Sequence, residues 1–147
     1  MQGMAATEQL AERIRHVLDG RWEETRQRVR QEIDPAAFAP PTELLDLETH
    51  RQRTLEAILE LTRTDFARDG LTPEQGGTGR HGASVTAFEM LGHADLSIFV
   101  KAGVQFGLFG GAIANLGTER HHREFLPGMI DGSLLGCFAM TETGHGS

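Results

Sequence analysis

The chain is poor in several residue types, and each shortage excludes a class of structure or of binding partner. It has no tyrosine and a single cysteine, Cys137. No disulfide can form within the chain, so a reducing compartment is the expected setting. Only one of its 14 basic residues, Lys101, is lysine, and no block of arginines stands out. Nucleic acid is therefore not expected as the main partner, because phosphate neutralisation needs clustered cations.

The N-terminal stretch lacks the uninterrupted apolar core of a signal peptide. Glu8, Glu12 and Arg13 all lie within it, and such charges are not found in a secretory leader. The strong preference for arginine over lysine is typical of a GC-rich bacterial genome. Together these features predict a cytoplasmic bacterial protein.

What is present is enough for one folded domain. Of the 147 residues, 39% are hydrophobic, and a domain of this length buries roughly 70% of the surface that its unfolded chain exposes. The net charge is −7. An acidic chain can still bind a small anionic ligand through local donors, for example at helix N-termini.

Apolar residues at helical spacing predict an all-α bundle of about six helices. Gly20 ends the first helix, and the prolines of residues 34–41 break the second and form a linker. The later helices are predicted over residues 43–68 with Gly70 as a C-terminal cap, from Ser84, from the cap Asp95 to Leu116, and from the cap Thr118 to Asp131, with Gly132 as the stop. Residues 134–141 then change to an extended pattern, a stub of strand.

The segment between Asp95 and Leu116 is apolar almost all round, which predicts the central buried helix. Its length would permit a membrane span, but Lys101 and Gln105 in its interior argue against one. Glycines at every fourth position, residues 103, 107 and 111, predict a strip along one face of this helix that carries no side chains. Close packing of another helix is the favoured use of this strip, and ligand contact is the alternative.

Several residue patterns that can indicate a binding or catalytic site lack the sequence context that such a site needs. GTGRHG (residues 77–82) has the spacing of a dinucleotide-binding turn, but no strand precedes it, so a surface loop is predicted. The seven histidines include no pair at metal-ligand spacing, and no metal site is predicted. Cys137 lies in an apolar run, where a thiol is usually inert.

The segment that can carry chemistry is GCFAMTETGHGS, residues 136–147. It joins an apolar run to a small, glycine-rich turn with hydroxyl side chains. Such a turn can bring backbone N–H groups close to a phosphate or a flavin edge, since glycine removes the side-chain obstacle.

This segment resembles the signature of the acyl-CoA oxidase and acyl-CoA dehydrogenase superfamily. The resemblance covers residues 84–147, and Gly-His-Gly-Ser after Thr141-Glu142 is similar to the oxidase branch. It implies that residues 1–133 are the N-terminal helical domain and that residues 134–147 begin a β-domain. The implied cofactor is FAD, contacted by Phe138, Met140, Thr141, Gly146 and Ser147.

The resemblance also implies roles for these residues. The Thr141 hydroxyl or amide would hydrogen-bond the flavin near its pyrimidine side, where negative charge arrives on reduction; the alternative is a hydroxyl satisfied by nearby backbone. Phe138 and Met140 would line the flavin face. Gly146 and Ser147 would lie toward the cofactor phosphates, and Ser147 also toward the thioester end of the substrate.

The implied reaction is oxidation of a fatty acyl-CoA to a trans-2-enoyl-CoA, a step of fatty acid β-oxidation. An oxidase passes the electrons to oxygen, whereas a dehydrogenase passes them to an electron-transfer flavoprotein. The implied partners are the acyl-CoA substrate, the remaining domains of the same enzyme and further copies of it in a homo-oligomer. A helical module that binds acyl-CoA or a partner chain without redox chemistry is a further alternative.

We expect these 147 residues alone to be inactive and to bind FAD weakly or not at all. The resemblance implies that the catalytic glutamate base lies in a C-terminal domain, and a general base must lie within about 3 Å of the proton that it removes. A turnover assay on the purified chain with acyl-CoA and added FAD checks this, and measurable turnover would contradict it.

Overall fold

The computed structural model describes residues 2–33 and 35–144; for residues 2–6, 35 and 36 it describes the backbone only. Its regular elements are helices, which confirms the all-α prediction. They are α1 (Gln2–Asp19), α2 (Glu23–Glu32), the single-turn α3 (Pro35–Phe38), α4 (Leu47–Leu61), α5 (His81–Gly92), α6 (Leu96–Ala102), α7 (Gly111–Leu116) and α8 (Glu119–Asp131). A π-helical segment, Gly103–Gly110, joins α6 to α7 in one continuous helix, and 3-10 turns cover Gly20–Trp22, Asp65–Ala67 and Pro73–Gln75.

Local hydrogen bonds explain where the later helices begin and end. Asp95 precedes α6, and its carboxylate accepts from the backbone N–H groups of Ser97 and Ile98 at 2.8 and 3.2 Å. Thr118 caps α8 in a capping box. Gly132 ends α8 in the left-handed conformation, with φ 80°. These three predicted boundaries are confirmed.

The predicted helix over residues 43–68 differs at both ends. Helix α4 begins after Asp46, whose carboxylate accepts from Glu48 and Thr49 N–H at 3.0 Å each. It ends at Leu61, and the Thr64 hydroxyl accepts from Phe66 N–H at 3.1 Å at the start of a separate 3-10 turn. Gly70 is therefore not its cap. Helix α5 begins three residues before the predicted Ser84.

The core has two parts. The larger lies between α2, α4, α5 and α6 and contains Ile58, Leu61, Leu91 and Ile98, all almost completely buried. The smaller lies where α8 meets the π-helical segment, and it is formed by Leu71, Leu126, Met129 and Ile130. Phe106 packs against both parts, so the two are continuous around the helix that carries it.

Ion pairs between arginines and buried aspartates connect α2 and α4 to other parts of the chain. Arg53 on α4 donates to the buried Asp95 at 3.0 Å and to the carbonyl of Ala39. Arg28 on α2 reaches the fully buried Asp69 at 2.5 Å. A buried carboxylate is tolerated only when it is paired and hydrogen-bonded, so these arginines determine how α2 and α4 sit against the rest of the chain.

The continuous helix Leu96–Leu116 is not the central buried helix that the sequence predicts. Ile98 and Ala102 are buried, but Leu96, Val100 and Leu116 are exposed, so one face of the helix is bare. It is the one helix among the described residues that is long and apolar enough to cross a membrane. A core helix satisfies the same criteria, and its inner face is buried in protein here.

The close helix contact occurs at a different glycine from the predicted strip. A Cβ at Gly103 or Gly107 would meet no atom within 4 Å, whereas a Cβ at Gly110 would lie 2.9 Å from Met129 Cε of α8. Gly103–Gly110 is π-helical, and its i→i+5 pairing gives these residues a different angular spacing from that of the α-helix on which the predicted strip was placed. The prediction that another helix packs closely on this strip is therefore wrong, and the close helix contact lies at Gly110, which was not part of it.

Residues 134–141, predicted as a stub of strand, carry no regular secondary structure. A strand is stabilised by pairing with a neighbour, and the described residues provide no sheet for it to join. Their course is set by side-chain hydrogen bonds from the continuous helix, described below.

We expect Asp95→Ala to destabilise the chain by about 2–4 kcal/mol, because it removes an N-cap and leaves Arg53 without its buried partner. Asp46→Ala, which removes an exposed N-cap of the same geometry, is the matched control and should cost less. Chemical denaturation followed by circular dichroism measures both. Equal losses would contradict the role of the Arg53 pair.

The same carboxylate should make stability depend on pH. Burial favours the neutral acid, but hydrogen bonds from Ile98 N–H, Arg53 and Ser97 N–H outweigh it and lower the pKa of Asp95 below 3.8. A lowered pKa in the folded state stabilises the fold above the unfolded value, and the contribution is lost as pH falls through the folded pKa. Asp95→Ala should therefore show a shallower loss of stability below pH 4 than the unmodified chain.

Candidate cofactor-contacting segment

The segment that carries the candidate residues leaves α8 through a tight reversal. The carboxylate of Asp131 accepts from Ser133 N–H at 2.8 Å, and Leu134 N–H donates to the carbonyl of Gly128 at 2.9 Å. Gly132 is required here: its φ is positive, and a Cβ would lie 2.7 Å from Leu59 Cδ2. The chain thereby turns back along the π-helical segment.

Gln105 then holds the segment in an extended course. Its side chain is completely buried. The amide Nε2 donates to the carbonyl of Leu134 at 2.9 Å, and Oε1 accepts from Gly136 N–H at 2.9 Å. One side-chain amide therefore satisfies both a carbonyl and an N–H two residues apart, as a neighbouring strand would. Lys101 adds a bond from Nζ to the carbonyl of Gly136 at 3.2 Å.

Glycine is the only residue type that fits at position 136, because the backbone there lies directly against the ring of Phe109. A Cβ at this position would lie 2.0 Å from Cγ of Phe109, well inside van der Waals contact. The missing side chain lets the backbone lie against the aromatic ring, within reach of Gln105. The glycine therefore belongs to the scaffold that positions the residues after it.

Beyond Gly136 the candidate residues are presented on the surface. Phe138 and Met140 are 55% and 63% exposed, and Thr141 is exposed as well. No described residue pairs with the backbone of residues 138–141. The structure therefore brings these three predicted residues together on one open stretch of chain, whereas Gly146 and Ser147 lie outside the described residues.

An open apolar cleft of about 610 Å³ lies beside this stretch. Its walls come from the π-helical segment, α7, α8 and the residues after α8, and they include Phe109, Ile113, Leu116, Phe125, Leu135 and Cys137. His121 stacks on Phe125 with ring centroids 6.2 Å apart. Cys137 is exposed at this cleft rather than buried in an apolar run, so burial does not shield its thiol.

The glycine-rich sequence GTGRHG does not form a dinucleotide-binding turn. Thr72 and Gln75 form the capping box of a 3-10 turn immediately before GTGRHG, where a dinucleotide site needs a strand. Gly77 is packed against Leu71, since a Cβ would lie 2.2 Å from the Leu71 carbonyl oxygen. Among the described residues, no three His, Cys, Asp or Glu side chains could together hold a metal ion.

Sequence reasoning missed the scaffolding role of Gln105 and Lys101. It noted both as polar side chains inside an apolar helix and used them only against a membrane span. A polar residue in such a position is stable when a backbone group satisfies it, and that was the signal for a second chain segment passing alongside.

Fold and segment together define an all-α domain that presents a glycine-rich, hydroxyl-bearing stretch at one end. The family described as "Acyl-CoA dehydrogenase, N-terminal domain" matches residues 8–133. The chain belongs to this family.

Curated relatives are acyl-CoA oxidases and a protein named for its likeness to them. Acyl-coenzyme A oxidase 3, peroxisomal, of Arabidopsis thaliana is 35% identical over 118 residues, 80% of this chain and 17% of the relative. Acyl-coenzyme A oxidase 2 of Yarrowia lipolytica is 35% identical over 105 residues, 70% of this chain and 13% of the relative. An acyl-coenzyme A oxidase-like protein of Mus musculus is 46% identical over 59 residues, 40% of this chain and 9% of the relative.

These relatives contradict the predicted cellular location and source of the protein. The Arabidopsis oxidase is peroxisomal by name, as is a second Arabidopsis relative, named "Putative acyl-coenzyme A oxidase 3.2, peroxisomal", which is 34% identical over 110 residues, 75% of this chain and 16% of the relative. The Yarrowia relative is also eukaryotic. The expectation of a bacterial cytoplasmic protein, drawn from arginine usage and a missing leader, is therefore wrong. No solved structure matches the chain significantly.

We expect Gln105→Leu to release the segment. The substitution keeps the approximate volume but leaves the Leu134 carbonyl and the buried Gly136 N–H unpaired, at about 1–3 kcal/mol each. Hydrogen exchange at the Gly136 amide should rise at least about tenfold, since 1.4 kcal/mol corresponds to one decade.

Asn115→Leu is the matched control, because it removes an exposed side-chain amide that bonds Gly111 O on the same continuous helix. It should leave exchange at Gly136 unchanged. If the two substitutions altered Gly136 exchange equally, Gln105 would not be what holds the segment.

Proposed function

We propose that the chain is part of a flavoenzyme that oxidises fatty acyl-CoA to trans-2-enoyl-CoA. The observation that carries the proposal is the exposed stretch Phe138–Thr141, held out by Gln105 in a chain of this family. The chain spans less than a fifth of the length of the curated relatives described above. The activity therefore belongs to the whole protein, and this chain contributes part of its site.

The residues present fit a flavin. Phe138 and Met140 offer exposed apolar surface for a ring face, and the backbone of residues 138–141 has groups left unpaired by the described chain. Thr141 is exposed, and among the described residues no hydrogen bond to its hydroxyl is present, which supports a hydroxyl that can meet a bound group. Bound FAD would supply the acceptor for the hydride that leaves the β-carbon of the substrate.

Thr141 is proposed to hydrogen-bond the pyrimidine side of the flavin. A donor at that place stabilises negative charge that develops on reduction, and it does so most strongly where water is excluded. Gly146 and Ser147 are proposed to lie toward the cofactor phosphates, with Ser147 also toward the substrate thioester. The α-proton would be taken by a carboxylate base in another part of the enzyme, the glutamate that the family resemblance implies in a C-terminal domain.

The names of the relatives favour the oxidase branch over the dehydrogenase branch. In an oxidase the two electrons and two protons removed from the acyl-CoA reduce one oxygen molecule to hydrogen peroxide. The test is made on the complete protein that contains this chain. Bound FAD in its absorption spectrum and one peroxide formed per enoyl-CoA would support an oxidase. Enoyl-CoA formation that required an added electron carrier would support a dehydrogenase instead.

In the complete enzyme, Thr141→Ala should slow flavin reduction by acyl-CoA by about 10–100-fold and lower the flavin reduction potential, since it removes a donor to the reduced ring. Thr141→Ser keeps the hydroxyl and should restore most of the rate. Thr143→Ala, two residues along the same exposed stretch, is the control. Anaerobic stopped-flow reduction measures the rates, and an unchanged potential in Thr141→Ala would contradict a hydroxyl bond to the flavin.

A further inference from the structure

A cleft of about 330 Å³ between α4 and α6 collects basic side chains. Its lining includes Arg51, Lys101 and His50, and none of the described carboxylates lines it. The chain as a whole carries a net charge of −7, so this excess of positive charge is local. A concave surface with charges of one sign raises the local concentration of ions of the opposite sign.

Two other clefts of the described chain contain charges of both signs. The cleft beside α8 balances two arginines with two carboxylates, and these are Arg68, Arg123, Glu74 and Asp131. A second cleft on α4 has two carboxylates for one arginine, and these are Glu48, Glu56 and Arg53. These carboxylates of α4 therefore line a different cleft, and they leave the cations between α4 and α6 uncompensated.

The two permanent cations of this cleft have donors left for a ligand. Arg51 is exposed and makes no hydrogen bond or ion pair with the described residues, so its whole guanidinium fork is available. Lys101 uses one ammonium donor on the carbonyl of Gly136 at 3.2 Å and keeps two more. Asp95, which precedes α6, does not neutralise them, because its carboxylate is buried and paired with Arg53 at 3.0 Å.

The two hydroxyls that line the cleft differ in what they can donate. Thr54 Oγ1 donates to the carbonyl of His50 at 2.8 Å, so its proton is already used. The Ser97 hydroxyl makes no hydrogen bond with the described residues and can donate to a ligand. A guanidinium fork, an ammonium and a hydroxyl together match the several oxygens and the double charge of a phosphoryl group. A carboxylate, with two oxygens and one charge, would leave part of this donor set unused.

We propose that this cleft binds a phosphate monoester, with the phosphoryl group held by Arg51, Lys101 and Ser97. Leu55 lines the same cleft and offers apolar surface to the carbon part of an ester. The volume lies at the lower end of the range for small-molecule sites, so the ligand is small. The cleft shares no lining residue with the exposed stretch 138–141, and the inference does not depend on the function proposed for that stretch.

Titration of the isotope-labelled chain with phenyl phosphate, followed by NMR at pH 7 and constant ionic strength, tests the site. The amide signals of Arg51 and Ser97 should shift and reach saturation. Arg51→Gln should weaken binding at least about tenfold, because it removes a charge-assisted pair of bonds. Arg120→Gln is the matched control, since Arg120 is an exposed arginine of α8 that also lacks a partner among the described residues. It should leave the affinity unchanged.

Two further variants separate the roles of charge and position. Arg51→Lys keeps the positive charge but loses the fork, so its affinity should lie between those of the unmodified chain and Arg51→Gln. Lys101→Gln removes the charge contributed by α6 and should also weaken binding at least about tenfold. That result would place the ligand between the two helices and not on Arg51 alone. Far-UV circular dichroism shows that each variant retains its helices.

Inorganic phosphate and acetate, titrated under the same conditions, identify the chemistry that the cleft recognises. Phenyl phosphate should bind more tightly than inorganic phosphate, because only the ester can contact Leu55. Equal affinity for the two would make free phosphate the ligand and overturn the ester. Acetate binding as tightly as phenyl phosphate would overturn a phosphoryl site. The proposal also fails if no signal saturates at tens of millimolar phenyl phosphate, or if Arg51→Gln and Arg120→Gln bind it equally.

Discussion

The completely buried amide of Gln105 is the interaction on which the candidate site depends. It takes the place of a neighbouring strand for Leu134 and Gly136, two residues that leave α8 with no sheet to join. Without a partner, a buried carbonyl and N–H would each cost free energy comparable to a lost hydrogen bond. The course of every residue after Gly136 therefore begins from a contact made by a single side chain on the continuous helix.

That contact depends in turn on how the continuous helix is held. Its N-terminus is fixed by Asp95, which caps α6 and pairs with Arg53 of α4. Its middle is fixed by the close approach of Gly110 to Met129. The π-helical turns between these points change which residues face α8, and such turns occur often where a helix serves a function. A chain of buried polar and close-packed contacts thus runs from α4 to the exposed stretch at Thr141.

Much apolar surface in this chain remains uncovered: the stripe on α1, the outer face of the helix Leu96–Leu116 and the cleft beside Cys137. Large contiguous apolar surfaces on a soluble domain mark places where other protein packs. The relatives are several times longer than this chain, so for them such surfaces are candidates for contact between domains.

Local sequence determined the helices, their polar caps and the membership of the family. Asp95, Thr118 and Gly132 were predictable, because a cap is a contact between residues two to four apart. The end of α4 at Leu61, the bare face of the long helix and the close contact at Gly110 were not predictable, since each depends on which distant side chain arrives there. The motif around Thr141 was evident in the sequence, but its exposure was decided by Gln105, and a hydrogen bond between residues about thirty positions apart exists only once the chain has folded.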